Sequence, residues 1–184
     1  MFILYALVIG LGIGLLLGGQ ASRLGELKLR FAWLCMLGLA VQLVLFSDAV
    51  TERIGDLGVP IYVVSTLAVA GAVAANYRIP GMAIVALGAF SNLAAIVANG
   101  GYMPTTAAAL AAAGFAEKTG YSNSALLPDP KLPWLTDIFA MPPWIPAHNV
   151  FSIGDVLIGL GVVIVIVTAM RRPAAAVLSG AAVH

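Results

Sequence analysis

Five apolar stretches alternate with shorter polar segments along the chain. They cover approximately residues 2–18, 31–47, 60–76, 81–98 and 150–170. Each is long enough, or nearly so, to cross a bilayer as a helix. The first stretch lacks a basic leader, so we predict a retained span rather than a signal peptide. The pattern therefore predicts five transmembrane helices.

Composition supports the same class. Of the 184 residues, 61% are hydrophobic and 9% are charged, whereas a soluble domain has roughly a quarter of its residues charged. We expect one all-α integral membrane bundle over residues 1–184, surrounded by membrane lipid and without a separate soluble domain. The net charge of +1 leaves no basic stripe for phosphates, which excludes a nucleic-acid partner.

Charged residues sort to the two sides of the predicted bundle. One side carries Arg23, Lys28, Arg30, Arg78, Arg171 and Arg172, with Glu26 as its acid. The other carries Arg53, Lys118 and Lys131 together with Asp48, Glu52, Asp56, Glu117, Asp129 and Asp137. Basic loops favour the cytoplasm. We therefore predict a multi-pass protein with its N-terminus outside and its C-terminus in the cytoplasm.

The longest connection, residues 99–149, joins the fourth and fifth spans and is predicted to form an irregular extracytoplasmic cap. Its first residues, Asn99-Gly-Gly-Tyr-Met-Pro104, are typical of a helix end. Thr105 and Thr106 can then begin a short helix that runs through the alanines to Ala113. Later prolines exclude a long helix.

Two aspartates are the best candidates for chemistry. Asp155 lies inside the last apolar stretch, roughly 9 Å below Asn149 on a helix, and such acids usually have a function. Asp137 precedes it by 18 positions on the same side. Two aspartates that share one proton can activate a water and protonate a leaving group. The alternative is an exposed Asp137 and an Asp155 paired with Ser152, a loop amide or an arginine.

Other polar residues could complete a site. Asn92 and Asn99 are seven positions apart, share a helix face and are expected to point toward the last helix, as candidate substrate contacts. Interhelical hydrogen bonding explains Asn92 and Gln42 adequately without a substrate. His148 is a further candidate, and with Asp137 and Asp155 it could hold a divalent metal. Three loosely spaced ligands are a weak signal, and we predict no metal and no cofactor.

The first span carries Gly10, Gly14 and Gly18 at a spacing of four. Small residues at this spacing form one helix face on which another backbone packs closely. A nucleotide-binding loop is excluded, because no strand precedes these glycines and no lysine follows them. We expect this face to pack against another helix or against a partner subunit.

Two resemblances extend these interpretations. The stretch Leu135-Thr-Asp-Ile-Phe139, with His148-Asn149-Val-Phe and Ser152-Ile-Gly-Asp155 after it, resembles the C-terminal signature of signal peptidase II. That resemblance implies Asp137 and Asp155 as the catalytic pair, Asn149 near the start of the last helix, and a lipidated peptide substrate. Asn99-Gly100 resembles a substrate-contacting segment of that family, whose Asp-Gln-x-Thr-Lys signature is absent here.

Over its whole length the chain resembles a bacterial membrane family of unknown function. The resemblance lies in Gly14-Leu-Leu-Leu-Gly-Gly19, Asn99-Gly-Gly-Tyr-Met-Pro104, the Leu-Thr-Asp segment and Asn149-Val-Phe-Ser-Ile-Gly-Asp155. It implies the bacterial cytoplasmic (inner) membrane as the location. Three functions remain open: an aspartyl hydrolase at the outer leaflet, a non-catalytic subunit of a larger complex, and a small ion or ligand carrier.

Overall fold

The computed structural model describes residues 2–51, 53–115 and 124–171. Glu52, Glu117, Lys118 and Arg172, which entered the charge comparison, lie outside these ranges. The described helices are α1 (Phe2–Leu16), α2 (Ala32–Leu45), α3 (Asp48–Thr51), α4 (Gly58–Ala74), α5 (Met82–Ala98), α6 (Ala107–Ala113) and α7 (Ile153–Arg171). Short 3₁₀ turns occupy Ala21–Glu26, Gly55–Leu57 and Pro133–Leu135. The predicted helical class is confirmed, and the five long helices coincide with the five apolar stretches.

Helix α7 is the central element of the bundle. It packs between α1 and α5, α4 packs on α5, and α2 packs on α4. At one end Phe2 of α1 stacks on Phe151, just before α7, with ring centroids 4.6 Å apart. At the other end the Gln20 amide donates to the carbonyl oxygen of Met170 at 2.9 Å. Helices α1 and α7 are therefore parallel, and both begin at the cap.

Glycines bring α1 close to α7. A Cβ on Gly10 would lie 3.1 Å from the Ile166 side chain, and one on Gly14 would meet the Met170 side chain. Gly18 does not share this face: it adopts a φ of 76° just after α1 ends, and nothing lies near its missing Cβ. The glycine face thus packs against α7 of the same chain, so a partner subunit would need another surface.

The contact between α5 and α7 is closer still. Gly81 faces Gly161, and Gly88 faces Gly154, so that at each crossing a Cβ would overlap backbone atoms of the other helix. Such close backbone approach is the usual effect of small residues at helix crossings. It allows even a short polar side chain on α5 to reach α7.

Amide side chains join the remaining elements. The Gln42 amide of α2 donates to the Ser65 hydroxyl at 3.3 Å and to the Thr66 hydroxyl at 3.2 Å, both on α4. Asn76, after α4, accepts from the Arg30 amide and donates to the Arg30 carbonyl oxygen, each at 2.8 Å. These bonds satisfy polar groups that would otherwise be costly inside an apolar bundle.

The cap contains strands that the sequence analysis did not predict. Strand β1 (Met103–Thr105) pairs in parallel with β2 (Ser124–Leu126), and β3 (Phe139–Ala140) pairs antiparallel with β4 (Val150–Phe151). The prediction of an all-α chain was therefore wrong for these residues of the cap. The strands are only two or three residues long, too short to give an alternating hydrophobic pattern.

The end of α5 and the start of α6 have the capping residues that the sequence analysis predicted. Asn99 caps α5, and Gly100 and Gly101 follow with φ values of 71° and 95°, the left-handed region that glycine adopts readily. The Thr106 hydroxyl then accepts from the Ala109 amide at 3.1 Å and begins α6. Helix α6 packs on Val150 and Ala140, so it lies against the β3–β4 pair.

Candidate functional site

Asp155 lies in the first turn of α7 and takes part in a reciprocal capping arrangement. Its backbone amide donates to the Ser152 hydroxyl at 3.1 Å, and its Oδ2 accepts from the Ser152 amide at 3.0 Å. This is a capping box in which aspartate takes the place usual for glutamate. Ser152 is fully buried, so its hydroxyl has no access to water. The arrangement satisfies two amides at the start of α7 and fixes the Asp155 side chain.

Asn92 of α5 completes the contacts of Asp155. Its Nδ2 donates to Oδ1 of Asp155 at 2.9 Å, and its Oδ1 accepts from the Ser152 hydroxyl at 2.8 Å. Gly154 makes this possible, because a Cβ there would overlap Oδ1 of Asn92. Asn92 therefore points toward the last helix, as the helix-face argument predicted. Its amide is engaged by Ser152 and Asp155.

The backbone of Asp137 is fixed beside strand β1. Its amide donates to the Pro104 carbonyl oxygen at 2.9 Å, and its own carbonyl oxygen accepts from the Thr105 hydroxyl at 3.2 Å. Thr105 and Asp137 form a parallel bridge. Because β1 follows α5 after a turn formed by residues 99–102, one continuous segment supplies both Asn92 and the residues that hold Asp137.

Asp137 is a buried acid and is only 7% exposed. Within the described ranges, its Oδ1 has no hydrogen-bond partner. Burial, and then the negative charge of Asp155, raise the pKa of Asp137 from 3.8 to about 7. Asp137 is therefore not the water-exposed turn acid of the alternative interpretation, and it is close enough to Asp155 for their charges to interact.

The two carboxyl groups have different environments. Asp155 accepts hydrogen bonds on both oxygens, whereas Asp137 is desolvated, which raises the pKa of Asp137 and favours its neutral form. An acid and a base that both lie within hydrogen-bonding distance of the same bound molecule can transfer protons to and from it. Hydrogen bonds therefore orient the Asp155 carboxyl group, and burial gives Asp137 a pKa of about 7, at which it can hold or release a proton near neutral pH.

Asn99 and Gly100 contribute differently from the prediction. The Asn99 side chain accepts from the Lys131 amide and donates to the Lys131 carbonyl oxygen, each at 2.8 Å. It therefore points to the cap and not to α7. Gly100 is exposed at the turn, with open space around its missing Cβ. Both residues shape the end of α5 and the fold of the cap.

His148 and Asn149 also lie within the cap. The His148 ring stacks on Phe115 at 4.8 Å, and its Nδ1 lies 3.2 Å from the Ile145 carbonyl oxygen. The Asn149 carbonyl oxygen accepts from the Met141 amide at 2.9 Å, and α7 begins only at Ile153. Asn149 is therefore not the helix-starting residue, a position that Ser152 occupies. In the described part of the chain, no three His, Cys, Asp or Glu residues are grouped to hold a metal ion.

Thr105 and Gly154 were not assigned a role in the site from sequence, and Ser152 was named only in the alternative interpretation, as a pairing partner of Asp155. Ser152 and Asp155 match the Ser-x-x-acid pattern of a capping box, so that signal was present. Thr105 contacts Asp137 through a bridge across 32 positions, for which the sequence carries no local signal. Gly154 becomes important only once α5 is seen to cross α7 there.

The architecture is a helical bundle with a small capping segment over one end; Asp137 lies in that segment, and Asp155 lies in the first turn of α7. Two of its helical segments, Gly55–Ala74 and Ile153–Arg171, are long and apolar enough to cross a membrane, and α1, α2 and α5 are shorter apolar helices. The chain belongs to a family of unknown function, DUF5317, whose model matches residues 26–167. The expectation of such a family is confirmed. No curated protein and no solved structure shows a significant match.

Proposed function

We propose that the chain is a five-span membrane protein with its cap on the extracytoplasmic side of the bacterial inner membrane. The charge distribution supports this orientation. In the described ranges, the end away from the cap carries Arg23, Lys28, Arg30, Arg78 and Arg171 with Glu26. The cap end carries more acids than bases: Arg53 and Lys131 with Asp48, Asp56, Asp129 and Asp137. This is the asymmetry of a protein with a cytoplasmic C-terminus.

Exposed apolar side chains support the membrane proposal. Val8 of α1, Leu43 of α2 and Leu87 of α5 are 68%, 68% and 61% exposed. Large outward apolar surface on each of these helices is costly in water and favourable in lipid. Helices α1 and α2, of 15 and 14 residues, are shorter than the roughly 20 residues of an average span. Local thinning of the bilayer would accommodate them.

The proposed activity is hydrolysis by the Asp137–Asp155 pair. The observation that carries it is the buried Asp137 carboxyl, whose Oδ1 has no hydrogen-bond partner among the described residues and whose pKa is raised to about 7, beside a hydrogen-bonded Asp155. A buried carboxyl oxygen without a hydrogen-bond partner destabilises the fold, so stability does not explain why this acid is buried. Perturbed acids of this kind are concentrated at functional sites.

The chemistry assigns a different role to each acid. Asp155 accepts a proton from a water as the water oxygen bonds to the substrate carbonyl carbon, while Asp137 donates a hydrogen bond to the carbonyl oxygen. The C–N bond then breaks, and a proton passes from the pair to the leaving amine. This division follows the general logic of two aspartates that share one proton.

The location of the pair supports a membrane-anchored substrate. Both acids lie at the cap end, one above the start of α7 and one in its first turn. A substrate would therefore approach at the outer leaflet, and a peptide with a membrane anchor, such as a lipidated peptide, fits that position. The local resemblance to signal peptidase II supports the same class.

The test is peptide cleavage by the purified chain in lipid vesicles, against a defined mixture of diacylated and unmodified peptides, with products identified by mass spectrometry. We expect cleavage of acylated peptides by the wild type and none by Asp137→Asn or Asp155→Asn. Asp129→Asn is the matched control, because it makes the same change at an exposed position of the cap.

Absence of cleavage by the wild type, or equal cleavage by all four proteins, contradicts the hydrolase proposal. A second function then gains support, that of a non-catalytic subunit of a membrane complex. The observation that favours it is the capping box, which gives Asp155 a structural role without any substrate.

A further inference from the structure

We infer that Asn92 and Ser152 are positioning residues, which hold the Asp155 carboxylate in one orientation beside Asp137. Asn92 would then act through Asp155 and not by touching the substrate. This inference rests on the proposed function, because the orientation of Asp155 affects catalysis only if the acid pair acts on a substrate. Its test, however, needs no substrate.

The hydrogen bonds among the three residues form a closed set. Asn92 donates to one oxygen of Asp155 and accepts from the Ser152 hydroxyl, which in turn accepts from the Asp155 amide. The other Asp155 oxygen accepts from the Ser152 amide. Rotation of the carboxylate would break at least one of these bonds, so its orientation is set before any ligand binds.

Asn92 adds something that helix capping does not require. A capping box needs only Ser152 and Asp155, both at the start of α7. The third partner comes from another helix and takes the Asp155 oxygen that capping leaves open. A carboxylate whose outer hydrogen bonds are fixed by a rigid neighbour is a recurrent feature of functional sites.

The backbone of the crossing is built around this contact. Gly88 and Gly154 bring α5 and α7 together where Asn92 reaches across, and a Cβ on Gly154 would displace the Asn92 oxygen. Gly161 makes a similarly close contact with Gly81 and Val85, seven positions further along α7. The Gly88–Gly154 contact therefore both packs the helices and leaves room for Asn92 to reach Asp155, whereas the Gly81–Gly161 contact only packs the helices.

The experiment measures the titration of the Asp137 carboxyl by ¹³C NMR in lipid nanodiscs, with aspartate labelled at the carboxyl carbon. The chain has five aspartates, and Asp137→Asn assigns the signal. In Asn92→Leu we expect the midpoint of Asp137 to shift by about half a pH unit or more, because Asp155 loses a donor. Gln42→Leu is the matched control: it removes another interhelical amide, which contacts hydroxyls on α4. A shift no larger than that of Gln42→Leu overturns the inference.

A second pair of variants covers the case in which Asn92→Leu does not fold. Gly154→Ala displaces Asn92, and we expect it to shift the midpoint of Asp137. Gly161→Ala disturbs the same helix interface and leaves the midpoint unchanged. Equal shifts in both, or a shift in neither, overturn the inference.

The two proposals fail separately. If the wild type cleaves no peptide but Asn92→Leu shifts the midpoint, the positioning role stands and the hydrolase proposal falls. If cleavage depends on both aspartates but Asn92→Leu changes neither cleavage nor the midpoint, only the positioning role falls.

Discussion

Asn92 of α5 donates a hydrogen bond to Asp155 of α7 at 2.9 Å, across the point where two glycines bring the helices together. This bond joins the packing of the bundle to the acid in the first turn of α7. The same α5 segment continues into β1, which holds the backbone of Asp137. The pair thus depends on one helix crossing and one short strand.

The capping residue of α7 should be important for stability. Ser152→Ala removes the acceptor of the Asp155 amide and the donor to Asn92 in a fully buried position. We expect a loss of about 1–2 kcal/mol in the free energy of unfolding, measured by denaturant titration in detergent. Ser47→Ala is the control, since that hydroxyl, just after the end of α2, donates to the Val44 carbonyl oxygen three positions earlier. Equal losses in the two variants would show that the capping box of α7 does not contribute specially to stability.

The glycines should divide into two groups on substitution. A Cβ at Gly161 would lie 2.7 Å from the Gly81 carbonyl oxygen, so Gly161→Ala should lower the free energy of unfolding by about 1–3 kcal/mol. Gly71 of α4 has open space around it, and Gly71→Ala should leave stability unchanged or raise it by up to about 1 kcal/mol. Unfolding curves check both. Similar losses at both positions would contradict the close crossing of α5 and α7.

The cap should loosen when Asn99 is changed. Asn99→Ala removes both bonds to the Lys131 backbone, so hydrogen exchange should become faster around Lys131. Asn76→Ala removes the equivalent pair of bonds to Arg30 at the other end of the bundle and should leave exchange at Lys131 unchanged. Faster exchange at Lys131 in both variants would indicate general destabilisation instead.

Stability should fall as the pH rises toward neutrality. The pKa of Asp137 is about 7 in the folded state, against 3.8 for an aspartate in water, the value expected in the unfolded chain. Between these values the folded chain binds more protons than the unfolded chain, so its free energy of unfolding decreases with rising pH. Thermal unfolding from pH 4 to 8 measures this. Asp137→Asn should flatten the dependence and Asp129→Asn should retain it; the same slope in all three proteins would exclude Asp137 as its origin.

The long helices were predictable from sequence because each is an uninterrupted apolar stretch of many consecutive turns. Helix ends at Asn99, Gly100 and Thr106 were predictable for local reasons, since capping depends on neighbouring residues. The strands of the cap were not, because pairs such as Thr105 with Asp137 join distant positions. The order of packing around α7 is equally non-local.

The site was predictable only in part. The two acids and Asn92 are conspicuous in apolar surroundings, and the structure brings Asn92 to Asp155. Asn99 is equally polar but turns to Lys131, because it lies at the helix end where the cap returns. Sequence spacing gives a helix face, whereas the partner on that face depends on which segment packs there.

The central claim is that Asp137 and Asp155 form one coupled pair in which Asp137 holds the proton. The most direct measurement is the ¹³C titration of the Asp137 carboxyl in the wild type and in Asp155→Asn. We predict a midpoint of about 7 in the wild type and a lower one in Asp155→Asn, where the neighbouring charge is gone. A wild-type midpoint near the ordinary aspartate value, or the same midpoint in both proteins, would contradict the pair.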